Sequence, residues 1–129
     1  MCGIAGFIGE GSPDDLRLMN AMMQHRGPET DGRWEDASAR VFLGHKRLSI
    51  IDIEGGYQPM ESADGKLVIV FNGEIYNFKE LRDELISRGH QFSTDHSDTE
   101  VLLYAYRQWG EQMSGKLNGM WAFAIYNRE

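Results

Sequence analysis

Apolar residues along this chain fall into two patterns, unbroken runs of strand length and stripes at helical spacing. Cys2 to Ile8 is short, apolar and bracketed by glycine, which predicts a buried first strand. Gly9-Glu10-Gly11-Ser12-Pro13 predicts a turn, and Ser12 before Pro13 marks a helix start, with Asp14 and Asp15 favoured by the dipole in the first turn. Leu16, Met19, Met22 and Met23 then form a stripe that reads as core, because methionine at helical spacing fills cores more often than it builds cofactor sites. His25 to Gly32, with Gly27-Pro28 inside it, predicts a loop that ends this helix.

Arg40 to Leu43 and Arg47 to Ile53 predict strands on either side of Gly44-His45. Lys66 to Phe71 contains Leu67-Val68-Ile69-Val70, and so continuous an apolar run suits a strand covered on both faces. Phe78 to Arg88 carries Phe78, Leu81, Leu85 and Ile86 at helical spacing, with Gly89 placed to stop the helix. Thr99 to Trp109 repeats the design with Val101, Leu102, Ala105 and Trp109 before Gly110, and Ser97 with Glu100 matches a capping box. Met120 to Tyr126 is a last apolar strand. Strands apolar on both faces need cover on both, so the economical architecture is α+β, sheet packed on sheet with helices outside. An apolar strand this close to Glu129 expects a neighbour on each side, which reads as a domain incomplete at its C-terminus.

A chain of 129 residues makes one domain, residues 1–129, and 41% hydrophobic residues suffice for a core. Twenty acidic against thirteen basic residues leave a net charge of −7, which argues against nucleic acid or an anionic membrane as partner. No apolar run is long enough to span a bilayer, and no secretory signal opens the chain. Cys2 is the only cysteine, so neither an internal disulfide nor a cysteine-based zinc site is available. His25, His45, His90 and His96 lack the spacing that puts two imidazoles on one helical face, and no metal site is expected. The chain reads as cytoplasmic.

Cys2 is where chemistry concentrates. Removal of Met1, which methionine aminopeptidase performs before a small second residue, leaves a thiol and a free α-amine on one residue. Such groups ordinarily titrate at about 8.5 and about 7.7–8.0, close enough to exchange a proton near neutrality. A nucleophilic thiolate attacking an amide also needs donors for an oxyanion and anchors for its substrate. Asn72-Gly73, directly after the run ending at Phe71, offers a side-chain amide beside a backbone N–H, although Asn-Gly is equally a hairpin turn. Arg47 could hold a carboxylate in bidentate fashion or stand in water at a strand edge. Asp98 could face a ligand ammonium or merely complement a helix start.

Six segments appear together in order: Met1-Cys2-Gly3-Ile4-Ala5-Gly6, His25-Arg26-Gly27-Pro28, Leu43 to Ile50, Phe71-Asn72-Gly73-Glu74-Ile75-Tyr76-Asn77, Ser97-Asp98-Thr99-Glu100 and Gly119 to Ala124. The set resembles the class II glutamine amidotransferase domain, of the N-terminal-nucleophile hydrolase type. Within that group it is most similar to the glutaminase half of glutamine-hydrolysing asparagine synthetases. The resemblance implies an αββα sandwich of two antiparallel sheets between helices, and hydrolysis of glutamine through a Cys2 thioester. It implies Cys2 as nucleophile with its α-amine as base, and Asn72 and Gly73 as oxyanion hole. Arg47 would hold the substrate carboxylate, with Leu48 and Ile50 beside it, and Asp98 and Glu74 the substrate amine. Arg26 and Gly27 would shape the loop beside the nucleophile.

In such synthetases a further domain uses ATP and Mg to activate the nitrogen acceptor. No Gly-rich phosphate loop occurs here. The resemblance therefore implies no cofactor in this chain, and as partners glutamine and a synthetase domain elsewhere. It also implies missing strands after Tyr126, and hence an open strand edge and self-association. Other readings stand beside it: the glutaminase domain of another class II amidotransferase, a non-catalytic glutamine-binding module, or an inactive fragment. Met1, if it stays attached, turns the Cys2 amine into an amide nitrogen and removes the base.

Overall fold

The computed structural model describes residues 1–48 and 56–129. Among these, β1 (Gly3–Ile8), β2 (Thr30–Asp36) and β3 (Val41–Arg47) form one antiparallel sheet in the order β1-β3-β2. A second antiparallel sheet, in the order β4-β5-β6, holds β4 (Met60–Glu61), β5 (Leu67–Ile75) and β6 (Gly119–Asn127). Helix α1 (Pro13–Met22) packs on the first sheet, while α2 (Phe78–Ser87) and α3 (Asp98–Trp109) lie on the second side. A short 3-10 helix, Gly110–Lys116, leads into β6. The arrangement is the expected αββα sandwich.

Side-chain alternation along the central strands builds both cores. Val68 and Val70 of β5 face Val41 and Leu43 of β3 between the sheets, with Ile4, Trp34 and Tyr126 around them. Leu67, Ile69, Phe71 and Ile75 point the other way, onto Leu81 and Leu85 of α2 and Val101, Leu102 and Ala105 of α3. A strand buried on both faces needs apolar residues at every position, which is why β5 reads as a continuous run.

Several elements differ from the sequence reading, each for a local reason. β3 is one strand, not two flanking Gly44-His45. A Cβ at Gly44 would collide with the Asn20 amide, so glycine there lets α1 close on the sheet rather than breaking the strand. Arg47 is consequently the last residue of β3 and not the first of another; the expected strand to Ile53 lies largely outside the described residues. Thr30–Gly32, expected as loop, open β2, a strand with few apolar residues that is held by its register on β3 from Thr30↔Arg47 to Asp36↔Val41. β1 is an edge strand rather than a buried one, and Ile8 is 77% exposed.

The stripe on α1 is Leu16, Met19, Asn20 and Met23, with Met22 turned to solvent. Asn20 takes the core position because its Nδ2 donates to Asp31 Oδ1 at 2.6 Å and to the Gly32 carbonyl at 3.0 Å. Ile86 of α2 is likewise exposed. At α3 only half of the capping box forms. Ser97 Oγ accepts from the Glu100 N–H, but the Glu100 carboxylate instead accepts from the N–H of Ser93 and of Thr94 and from Thr94 Oγ1. β5 runs four residues past Phe71, so Asn72-Gly73 is strand and not a turn. β6 pairs with β5 from Leu67↔Asn127 to Ile75↔Gly119 and, among the described strands, has no partner on its outer edge.

Candidate active site

The two sheets open at one end into a cleft of about 570 Å³. Strand alternation decides what lines it. Two and four residues beyond Val70, Asn72 and Glu74 fall on the face of β5 that looks toward the other sheet. Two residues before Ile4, Cys2 falls on the matching face at the start of β1. Cys2, Leu48, Asn72, Gly73, Glu74 and Asp98 all border this cleft. Six expected site residues are thus brought together from four separate parts of the chain.

The thiol is anchored by the chain leaving β3: the Leu48 N–H donates to Cys2 Sγ at 3.4 Å, and Sγ stands 3.9 Å from the Leu48 carbonyl oxygen. The Cys2 carbonyl accepts from Arg26 Nε and Nη2 at 3.3 and 3.2 Å. Gly27 is buried against the Lys46–Arg47 peptide, where a Cβ would come within 2.6 Å of Arg47 N. Arg26 and Gly27 therefore grip the two chain ends that carry Cys2 and Leu48, and neither borders the cleft.

Backbone donors follow the same alternation. Phe71, Gly73 and Ile75 direct their N–H groups to the edge of β5 turned away from β6. The Phe71 N–H donates to Gln58 Oε1 at 2.6 Å and the Ile75 N–H to Asp98 Oδ2 at 3.2 Å. The Gly73 N–H lies between these two on the same edge, facing the cleft. Gly73 has φ +150°, and a Cβ there would run into the Met120 carbonyl of β6, so the position demands glycine. The Asn72 side-chain amide and the Gly73 N–H together make a compact donor pair.

Opposite in character stand two carboxylates. Burial pushes Asp98 above its ordinary range, with the charge of Glu74 adding to the rise, against the lowering effect of the Ile75 and Thr99 N–H groups. A cation placed between Asp98 and Glu74 would relieve that repulsion. Arg47, only 8% exposed, does not border the cleft: its guanidinium lies 5.6 Å from the Tyr57 ring centre and against Gly56. Ile50 lies outside the described residues. Among the described residues no group of three or more His, Cys, Asp and Glu side chains is placed to hold a metal ion. No helix among them is long and apolar enough to cross a membrane.

Three lining residues escaped the sequence reading. Gln58 lies in none of the six segments, while Thr99 and Trp121 lie within them but carry no assigned role; Trp121 could have been found from register, since it pairs with Gly73 across β5 and β6. His45 Nε2 lies 3.1 Å from the Phe71 carbonyl oxygen, behind the donor pair, and the histidine is 2% exposed. A carbonyl only accepts, so Nε2 carries the proton. Burial holds this imidazole near pKa 4 against the raising effect of the Phe71 hydrogen bond, with the Arg47 charge lowering it further, and it is neutral at physiological pH.

Comparison with known proteins gives one consistent picture. The family model of the glutamine amidotransferase domain matches residues 1–129. The glutamine-hydrolysing asparagine synthetase 1 of Bacillus subtilis (strain 168) is 46% identical, over 99% of this chain and 21% of its own length. The glutamine-hydrolysing asparagine synthetase B of Escherichia coli (strain K12) is 42% identical, over 86% of this chain and 19% of its own. Among solved structures, a glutamine phosphoribosylpyrophosphate amidotransferase from B. subtilis, complexed with ADP and GMP, superposes with a TM-score of 0.55 at 27% identity. That match covers 70% of this chain and 22% of the other. The chain thus spans about a fifth of the length of the curated relatives it matches.

Proposed function

We propose, from the premise that this chain belongs to the family of glutamine amidotransferase domains, that it hydrolyses the side-chain amide of glutamine to glutamate and ammonia. The observation that most directly supports this reading is the single cleft bordered by Cys2, the Asn72–Gly73 donor pair and the Glu74–Asp98 carboxylates. After removal of Met1, the Cys2 α-amine takes the Sγ proton and the thiolate adds to the amide carbon. The carbonyl oxygen becomes an oxyanion that receives the Asn72 side-chain N–H and the Gly73 backbone N–H. Collapse expels ammonia, to which the amine returns its proton, and leaves a γ-glutamyl thioester. Water, deprotonated by the same amine, then adds to the thioester carbon and releases glutamate and the free thiol.

Glutamine is zwitterionic, and its head group needs anions and a cation around it. In this reading Asp98 and Glu74 hold the α-ammonium, and Arg47 holds the α-carboxylate by turning its guanidinium away from Tyr57 and Gly56 into the cleft, with Leu48 and Ile50 alongside. Arg26 and Gly27 act by fixing the nucleophile's backbone. Residues 1–129 serve as one glutaminase unit. We assign the ammonia to asparagine formation from aspartate, in a synthetase domain of the parent protein that uses ATP and Mg; the names of the curated relatives support that assignment. Nothing in the steps at Cys2 calls for either cofactor. A cytoplasmic setting suits a free catalytic thiol. The outer edge of β6, without a partner among the described strands and with Met120 64% and Trp121 38% exposed, supports self-association. A monomeric mass by light scattering at every concentration would remove that last reading.

The reaction is tested by ammonia and glutamate release from glutamine, compared between the parent and Cys2→Ala. Release that disappears in Cys2→Ala is the expected result. Release that survives would remove Cys2 as nucleophile.

A further inference from the structure

Among the described residues β4 covers β5 only at Val68 and Ile69, so the next outward-facing backbone groups of β5, those of Phe71, have no described strand to pair with. Both are taken by side chains. Gln58 Oε1 accepts the Phe71 N–H at 2.6 Å, and His45 Nε2 donates to the Phe71 carbonyl at 3.1 Å. The two side chains come from different places, Gln58 from the segment before β4 and His45 from the opposite sheet. His45 reaches across the sandwich, two residues beyond Leu43 on the inward face of β3. Its bond is a direct polar link between the central strands of the two sheets at the cleft end.

Phe71 is the residue immediately before Asn72. We infer that His45 and Gln58 form a clamp on the Phe71 backbone that sets the position of the Asn72–Gly73 donor pair relative to Cys2. This rests on the proposed oxyanion role of that pair. The geometry explains why a strand rather than a loop can carry such donors. Cys2 belongs to the β1-β3-β2 sheet and Asn72 to the β4-β5-β6 sheet, so the distance between nucleophile and donors is an inter-sheet distance. Apolar packing of Val41, Leu43, Val68 and Val70 is non-directional and tolerates sliding. A buried hydrogen bond from β3 to β5 does not, because slippage would leave two polar groups unpaired without water. His45 and Gln58 are positioning residues: they act on the reaction through Asn72 and Gly73.

The test is steady-state glutaminase kinetics on the full-length protein carrying His45→Leu, His45→Gln, Gln58→Leu or Asn72→Ala, and on the His45→Leu/Asn72→Ala pair. His45→Leu and Gln58→Leu are expected to lower kcat by about tenfold to a hundredfold with KM changed less than about threefold, the range expected for small misplacement of a reacting group. His45→Gln keeps an N–H donor and is expected to recover most of that loss. In the Asn72→Ala background His45→Leu should cost clearly less than in the parent, because only the Gly73 half of the pair it positions remains. A folded His45→Leu or Gln58→Leu protein with parental kcat would overturn the clamp; if Asn72→Ala is still impaired, the oxyanion reading survives that failure. A His45→Leu cost that is undiminished beside Asn72→Ala would also overturn it, showing only a structural role. Parental turnover in Asn72→Ala would defeat the oxyanion reading itself, and the clamp with it. Should His45→Leu not fold, Gln58→Leu and His45→Gln decide the matter.

Discussion

In the proposed reaction Asn72 and Gly73 meet the same oxyanion but answer to different constraints. Asn72 sits at the margin of the cleft, and its side chain carries no part of the apolar packing. Asn72→Ala is therefore expected to cut kcat by about 10²–10³ while KM and the unfolding midpoint stay close to parental values. Unaltered kcat in a folded Asn72→Ala protein would take Asn72 out of the reaction. Gly73 is also a structural requirement, since its φ of +150° and its approach to the Met120 carbonyl leave no room for Cβ. Gly73→Ala should lose stability as well, by about 1–3 kcal/mol in denaturant unfolding. At this scale the sequence was most legible where a residue's chemistry is intrinsic. Asn72-Gly73 reads equally as a turn until the fold places it on β5, but a lone Cys2 beside a removable Met carries its chemistry in its own atoms. Gln58 and His45 do not, because their roles come from a Phe71 backbone that only the fold brings near them.

Between elements, the burial of His45 between β3 and β5 makes a pH dependence. The folded His45 imidazole titrates near 4, against about 6.5 when unfolded, because burial opposes its charge and Arg47 adds repulsion. Between pH 6.5 and 4 the unfolded chain takes up a proton that the folded one refuses. The stability associated with a neutral His45 is thus present above about pH 6.5 and is lost as pH falls toward 4, by about 3 kcal/mol in all. Denaturant unfolding from pH 7 to 4 should show that loss in the parent relative to His45→Gln, which has nothing to titrate there. Carboxylates such as Asp98 contribute to both proteins alike and cancel. Equal pH slopes for the two proteins would contradict the assignment. Helices and the doubly covered β5 were visible in sequence because burial on two faces, or at a 3.6-residue period, writes itself into residue type. β2 and the unity of β3 were not: β2 is held by backbone pairing, which leaves little trace in side chains, and Gly44 looks like a break until Asn20 is seen above it.

As a whole, the molecule places Cys2 and the proposed donor pair on different sheets, and one end of the sandwich opens into the cleft they border. Chain order shows the six segments but not this convergence, which depends on two strands ending in phase. The account stands or falls on whether Cys2 is a processed, working nucleophile facing a glutamine-shaped cleft. The most direct measurement is the intact mass of the purified protein before and after incubation with a diazoketone analogue of glutamine, with peptide mapping of any adduct. The account predicts a mass lacking Met1, one adduct per chain located on Cys2, and protection by excess glutamine. A processed chain that takes no adduct, or takes it elsewhere than Cys2, would contradict it.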